Sequence, residues 1–293
     1  MIDYLTHSFN PNKFNITMTI LVKNEVDIIE ENIRTHAKLG VDSFVIMDNS
    51  SNDGTREKLS ELQNEFDMLI IDEKGYYQQK KFMTRIAFEA KKNYKPDWII
   101  NNDADEFWIP NDGKSLKEHI NFKGGVLRVN RSNMIPPMES LTEDFAFFDS
   151  KYQVINQINY RTNLIEDVSI LLGQTSRKVM TNPNGLIKIN SGNHSAEHLA
   201  FWNKKETENI HIYHYPIRSF AQFKKRTITR KHLLENFPEV KMGDHYRRWV
   251  KKYNESKLED EYKKFIYNDK EIELLTKIGI ASKNNLPSDT IVR

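Results

Sequence analysis

The chain contains no cysteine, which removes disulfides and thiolate metal sites from consideration and leaves a reducing cytoplasm permitted. It has no stretch approaching the ~20 apolar residues of a membrane-spanning helix. Its first residues, MIDYLTHSFNPNKFN, lack a basic start followed by an apolar run of signal length. The expectation is a soluble, cytoplasmic protein. Charge is nearly balanced, 43 Lys and Arg against 41 Asp and Glu for a net +2, which argues against a nucleic-acid coat. Neither glycine signature of nucleotide-binding folds occurs, so Rossmann oxidoreductases and P-loop enzymes are disfavoured. No internal repeat and no low-complexity linker is visible. What is present is 293 residues at 38% hydrophobic content, enough for one large domain with an appendage or two modest ones.

Residues 15–24, NITMTILVKN, alternate and then become a continuous apolar run, as a buried strand does. In NEVDIIEENIRTHAKLG, Val26, Ile29, Ile33 and Ala37 recur at helical spacing, acids crowd the first turns, and Gly40 stands where a helix stops. SFVIMD predicts a second strand, the turn NSSNDG follows, and Leu59, Leu62 and Phe66 share one face of a second helix. MLIID predicts a third strand, residues 77–93 a helix carrying Phe82, Ile86 and Ala90, and DWII a fourth strand. This alternation predicts βαβ units and an α/β fold with a mostly parallel sheet flanked by helices. Past Pro110 the pattern loosens into hairpin-like pieces, GGVLRVNRS and GLIKINS, and from about Phe220 it becomes helical and charged. The expected division is 1–219 for the sheet domain and 220–293 for a basic helical extension.

The stretch WIINNDADEFWIP, residues 98–110, sets Asp103, Asp105 and Glu106 between apolar segments. In an open parallel sheet, ligands bind where loops leave the carboxyl ends of the strands. Because side chains in extended backbone alternate with period two, residues 103 and 105 are expected to point the same way, with Ala104 turned into the packing. Two carboxylates facing one small volume repel each other, and a divalent cation reverses that energy. Hard oxygen ligands suit Mg²⁺ or Mn²⁺, with phosphate oxygens of a substrate completing the shell. Glu106 is expected to hold an arginine or a backbone amide rather than act as a base.

DNSSNDGT, residues 48–55, superficially matches a calcium loop. Starting at Asn49 puts Gly54 at the sixth place, yet the twelfth is Ser60 where a glutamate is needed, and a strand precedes it. Asn52, Asp53 and Gly54 are read as a structural turn, with Asp53 or Thr55 capping the next helix. Asp48, at the tip of the second strand, can accept hydrogen bonds from a base or ribose.

TILVKNE, VIMDNSSNDGT, WIINNDADEFW and HYPIRSFAQFKKR, in that order over residues 15–226, together resemble the family-2-like nucleotide-sugar glycosyltransferases of GT-A fold, in the branch with an Asp-x-Asp-Glu-Phe motif. The resemblance implies that Asp103 and Asp105 bind Mn²⁺ or Mg²⁺ and, through it, the diphosphate of a nucleotide-sugar donor. It implies that Asp48 contacts the nucleoside, that Val22, Lys23 and Glu25 surround the base, and that Lys80 or Lys81 meets phosphate. His214, in HIYHYPIRSF, is the candidate third metal ligand, His194 a residue reaching donor or acceptor, and His198 and His211 ordinary structural histidines. Glu166 and Asp167 are candidates for the base that deprotonates an acceptor hydroxyl in an inverting transfer. The implied activity is a metal-dependent hexosyl or related transfer to a glycan or lipid-linked acceptor, in bacterial surface polysaccharide synthesis.

Alternatives remain. A sugar-phosphate nucleotidyltransferase needs a glycine-rich loop where LVKNEVD stands. A two-metal phosphoesterase needs more ligands than the sequence places. A non-catalytic sugar-nucleotide or lipid-binding module keeps Asp48 but has no use for paired Asp103 and Asp105. Residues 218–252 carry eleven Lys or Arg against three acids, either a solvated helical face or an arm for phosphate or an anionic membrane. Oligomeric state is not legible.

Overall fold

The computed structural model describes residues 14–75, 78–120, 124–141, 146–156, 169–240, 242–287 and 289–292. The chain divides into two compact units, 1–131 with 176–213 and 286–293, and 132–175 with 214–285. That line differs from a single cut at 219, because residues 132–175 group with the C-terminal helices. No helix among the described residues is long and apolar enough to cross a membrane.

The first unit opens with β1 (Ile16–Val22), α1 (Ile29–Lys38), β2 (Ser43–Asp48), α2 (Thr55–Leu62), β3 (Met68–Asp72), α3 (Gln79–Tyr94) and β4 (Trp98–Asn102). β1 pairs in parallel with β2 and with β4, and β2 in parallel with β3, giving the spatial order 3-2-1-4. The chain moves outward from β1 to β3 and then returns to the other side of β1. The point of reversal lies between β1 and β4, where open α/β sheets form their ligand crevice. Every residue of β1, β2 and β4 is buried, which is why these segments read as continuous apolar runs rather than alternating ones. α3 covers the sheet with Phe82, Met83, Ile86, Ala87 and Ala90 packed among Leu21, Val45, Met47 and Ile99. The α/β class and mostly parallel N-terminal sheet follow the sequence expectation.

Two local expectations differ. The second helix ends at Leu62, before Phe66. Gln63 donates its side-chain amide to the Met68 carbonyl at 2.8 Å, and Phe66 packs edge-on against Phe44 at 6.3 Å. GGVLRVNRS is not a hairpin arm. After β5 (Glu106–Pro110) and the short α4 (Leu116–His119), it forms the ten-residue β6 (Val126–Ile135). Besides β7 (Tyr152–Val154), β6 pairs with β8 (Lys178–Thr181), which is antiparallel to both β6 and β4, and with the later strand at residues 204–214. GLIKINS does form a hairpin, β9 (Leu186–Ile189) with β10 (Ala196–His198), and β11 (Lys204–His214) pairs with β5.

The second unit holds α5 (Phe220–Asn236), α6 (Asp244–Asn254), α7 (Leu258–Lys263), α8 (Asp269–Lys277) and β12 (Ala281–Lys283), which is antiparallel to β7. Its helices meet on aromatic rings. Phe223 lies 4.7 Å from Trp249 and 5.4 Å from Phe265 between centroids. Much of the basic arm is used internally. Arg248 pairs with the buried Glu261 at 2.6 Å, Arg230 lies over Tyr246 at 4.8 Å, and Arg226 and Arg247 donate to the carbonyls of Pro216 and Pro238.

Gly40 ends α1 with φ of +98°, and an added Cβ would stand 2.4 Å from Ser115 Oγ; Gly279 has φ of +74°, and a Cβ there would make only an ordinary contact, 3.7 Å from Asn156 Nδ2. Gly40→Ala should therefore destabilise by more than the ~1 kcal/mol expected from backbone strain alone, and Gly279→Ala by about that amount. Urea unfolding of the two variants side by side checks the order.

Candidate active site at the carboxyl ends of the parallel strands

The loops after β1, β2 and β3 are tied to one another. Lys23 donates Nζ to the Asn49 carbonyl at 2.7 Å. Asn24, in the left-handed region with φ of 60°, accepts from the Asn52 N–H at 2.9 Å. The Glu25 N–H donates to Thr55 Oγ1, and Asn49 donates its side-chain amide to the carbonyls of Glu73 and Gly75. Neither Asp53 nor Thr55 is the helix cap: Gly54, with a φ of 101°, holds the N-cap position without a side-chain cap bond, and Asp53 Oδ1 instead closes the turn by accepting from the Thr55 N–H at 3.0 Å. These bonds spend the polar groups of the turn on structure, as the sequence suggests for Asn52, Asp53 and Gly54.

Asp48 is different. Its side chain is buried at 3% exposure, and Oδ2 accepts from the Ser51 N–H at 3.0 Å. Its Oδ1 has no hydrogen-bond partner among the described residues. A buried carboxylate oxygen without a donor is costly, so this atom suits a ligand hydroxyl or N–H.

The acidic segment corrects one expectation. Residues 103–105 are a turn between β4 and β5, not extended backbone, and the Glu106 N–H donates to the Asp103 carbonyl at 3.1 Å. Strand alternation does not orient Asp103 and Asp105; a buried amide clamp does. Asn32 on α1 donates to the Ala104 and Glu106 carbonyls, both at 2.9 Å, and Asn102 to the Glu106 carbonyl at 3.2 Å. Asn102 in turn accepts from the Trp108 indole N–H at 2.9 Å. His36 completes the clamp. Its Nδ1 donates to the Asn32 carbonyl at 2.7 Å, and its Nε2 accepts from the Trp108 backbone N–H at 3.0 Å. Complete burial pushes the His36 pKa down to about 4, against the bond to Asn32, so the ring is neutral.

Beneath the turn lies a chain of alternating charges. Glu106, fully buried, accepts from Arg131 at 2.5 Å and from Lys178 at 3.1 Å. Lys178, itself 1% exposed, also pairs with Asp103 Oδ2. Asp103 Oδ1 accepts from the Asn193 side chain at 3.0 Å. Burial pushes the Asp103 carboxyl up, Lys178 draws it back, and the charges of Glu106 and Asp105 raise it further. Glu106 thus holds an arginine, as expected, and a lysine besides. Asp105 is partly exposed.

His194 sits in this environment. Its Nδ1 donates to the Arg177 carbonyl at 3.1 Å, and burial together with the charges of Lys178 and Arg131 brings its pKa down to about 4. Asn193 is fully buried with φ of 55°. Gly192 beside it donates its N–H to Gln79 at the start of α3. Lys178, Arg131, Asn193, Asn32 and His36 were not singled out from the sequence. The available signal was two cations inside each of two otherwise apolar stretches, SRKVM and VLRVNRS, complementing the acids inside WIINNDADEFWIP.

Lys80 is exposed on the first turn of α3. His214 belongs to the second unit, where its Nδ1 donates to Asn133 Oδ1 at 2.7 Å. Asn133 donates its amide to the Leu171 carbonyl, which settles the direction of the histidine bond. Among the described residues, no three His, Asp or Glu side chains stand together so as to hold a metal ion. Glu166 and Asp167 lie outside the described residues. His198 is structural, packed beneath Gly125 and Gly185.

No family model matches the chain, and no curated protein matches it. Solved structures do. Residues 1–349 of S. aureus TarS match at 12% identity over 81% of this chain and 69% of that one, with a TM-score of 0.43. Glucosyl-3-phosphoglycerate synthase from Mycobacterium tuberculosis, in complex with Mn²⁺, UDP and glucosyl-3-phosphoglycerate, matches at 12% over 79% and 83%, with a TM-score of 0.37. GalNAc-T7 with UDP, GalNAc and Mn²⁺ matches at 12% over 93% and 59%, with a TM-score of 0.41.

Two measurements check the cluster. Lys178→Met leaves Glu106 and Asp103 short of a buried counter-charge and should cost about 3–5 kcal/mol in urea unfolding. Because His36 binds its proton more weakly folded than unfolded, stability is complete above the ordinary histidine value and falls as pH drops from about 6.5 towards about 4. The His36 ring signals in NMR should stay those of the neutral Nδ1–H tautomer at pH 5.5; an imidazolium there contradicts the clamp.

Proposed function

We propose that the chain is a metal-dependent, nucleotide-sugar glycosyltransferase of GT-A type. The observation that carries this reading is two acid sites at the carboxyl ends of the strands that flank β1. Asp48 ends β2 and Asp103 follows β4, with β1 between them. Two strand spacings set them ~10 Å apart, a separation a nucleoside diphosphate spans. The buried Asp48 Oδ1 would take a donor from the ribose or base, with Val22, Lys23 and Glu25 in the loop beside it.

Asp103 and Asp105 fit a hard divalent cation. Both supply carboxylate oxygens, Asp105 is partly exposed, and Lys178 supports the ionised form of Asp103. Mg²⁺ and Mn²⁺ are commonly held by one or two carboxylates and substrate phosphates rather than by a full protein cage, so a preformed trio is not required. The ion would stabilise negative charge on the departing diphosphate. His194, whose Nδ1–H is taken by the Arg177 carbonyl, would accept through Nε2 a hydrogen bond from a hydroxyl of the donor sugar or the acceptor. Lys80 would meet phosphate. Glu166 or Asp167 would take the acceptor proton in an inverting transfer. The acceptor is proposed to be a glycan or lipid-linked hydroxyl in bacterial surface polysaccharide synthesis.

The test is a panel of nucleotide sugars with Mn²⁺, scored for nucleoside diphosphate release. Asp105→Ala should lower kcat by at least ~10²-fold, the scale for losing one charge-stabilising group, and Asp48→Asn should mainly raise donor KM. Chelator-insensitive turnover that survives Asp105→Ala would overturn the metal-dependent reading.

A further inference from the structure

The turn joining β10 to β11 presents an apolar surface that the proposed transfer does not use. Leu199 and Phe201 are each 67% exposed and Trp202 is 74% exposed. The rings of Phe201 and Trp202 meet edge to face at 5.0 Å. The turn is held from beneath. The Leu199 N–H donates to the Gly185 carbonyl at 2.7 Å, the Ala200 N–H to His198 Nδ1 at 2.9 Å, and the Gly125 N–H to the Asn203 carbonyl at 3.0 Å. His198 is buried and donates Nε2 to the Asn182 carbonyl at 3.1 Å, which fixes its tautomer. Three large side chains are therefore fixed outward on a braced tip.

Cations flank it. Lys204 and Lys205 follow the turn immediately and are exposed, and His198 at its base feels the positive charges of Lys204 and Lys91. Trp and Phe beside lysines suit the boundary between lipid headgroups and acyl chains, where aromatic rings sit at headgroup depth and ammonium groups meet anionic lipid. We propose that the Leu199–Trp202 turn, with Lys204 and Lys205, docks the protein on an anionic bilayer surface. This contact is separate from the basic arm of residues 218–252, several of whose arginines are spent on internal bonds. It does not depend on the glycosyltransferase reading, because it is scored by binding alone.

The chain reports on the proposal directly. Of its four tryptophans, Trp98, Trp108 and Trp249 are at most 2% exposed, and Trp202 is 74% exposed. Vesicles of phosphatidylcholine with phosphatidylserine should pellet the full chain and shift its tryptophan emission to the blue. Phosphatidylcholine alone should do so weakly. Trp202→Phe should still pellet but lose the shift, and the double variant F201S/W202S should lose pelleting with an unchanged circular dichroism spectrum. Lys204→Gln and Lys205→Gln should each weaken vesicle affinity about five-fold. Absence of binding to either vesicle overturns the proposal. So does pelleting that F201S/W202S leaves intact but K224Q/K225Q in the basic arm abolishes. A concentration-dependent blue shift without lipid overturns it too, since a second copy would then cover the turn.

Discussion

The site depends on Glu106, a fully buried carboxylate that cannot stand in an apolar interior without counter-charge. Arg131 from β6 and Lys178 from β8 meet it, and Lys178 reaches on to Asp103. Two strands remote in sequence from β4 are thereby locked to the turn that follows it. Antiparallel pairing of β8 with β4 and β6 brings the cations close; charge selects which side chains can occupy the space. The acids and the cations are each unfavourable alone. Together they convert the end of a parallel sheet into a rigid polar floor.

The amide clamp does a second task with uncharged groups. Asn32, His36 and Asn102 satisfy the carbonyls of a turn that no neighbouring strand could pair. Their arrangement requires a neutral imidazole, and burial enforces one. Helix α1 therefore carries two functions on one face. Ile29 and Ile33 pack, while Asn32 and His36 hold the acidic turn from the side. A helical wheel drawn from the sequence shows only the first.

That contrast explains what was legible. The strands β1 to β4 announce themselves because buried parallel strands are apolar throughout, and SFVIMD and MLIID coincide with β2 and β3. Asp48 and the Asp103–Glu106 cluster stand out because acids are conspicuous beside such runs. The clamp was not legible, since an asparagine and a histidine inside an amphipathic helix look like ordinary polar positions. Lys178 and Arg131 were written plainly in their strands, but their partners lie 72 and 25 residues from them along the chain. Only the sheet order connects them. The orientation of Asp103 and Asp105 departs from strand alternation for a related reason. Alternation governs a strand, and the chain had already left the strand.

The electrostatics of the cluster bear on how an anion could be received there. Glu106 is matched by Arg131 and Lys178, and Asp103 by Lys178 and the Asn193 amide, while the charges of Glu106 and Asp105 act on Asp103 in the opposite sense. Acids crowded at one turn repel an anion that approaches alone, and a divalent cation reverses that energy. Under the proposed function, Asp103 and Asp105 would meet the diphosphate through such an ion, and Lys178 and Arg131 would act by keeping Glu106 paired in the floor beneath.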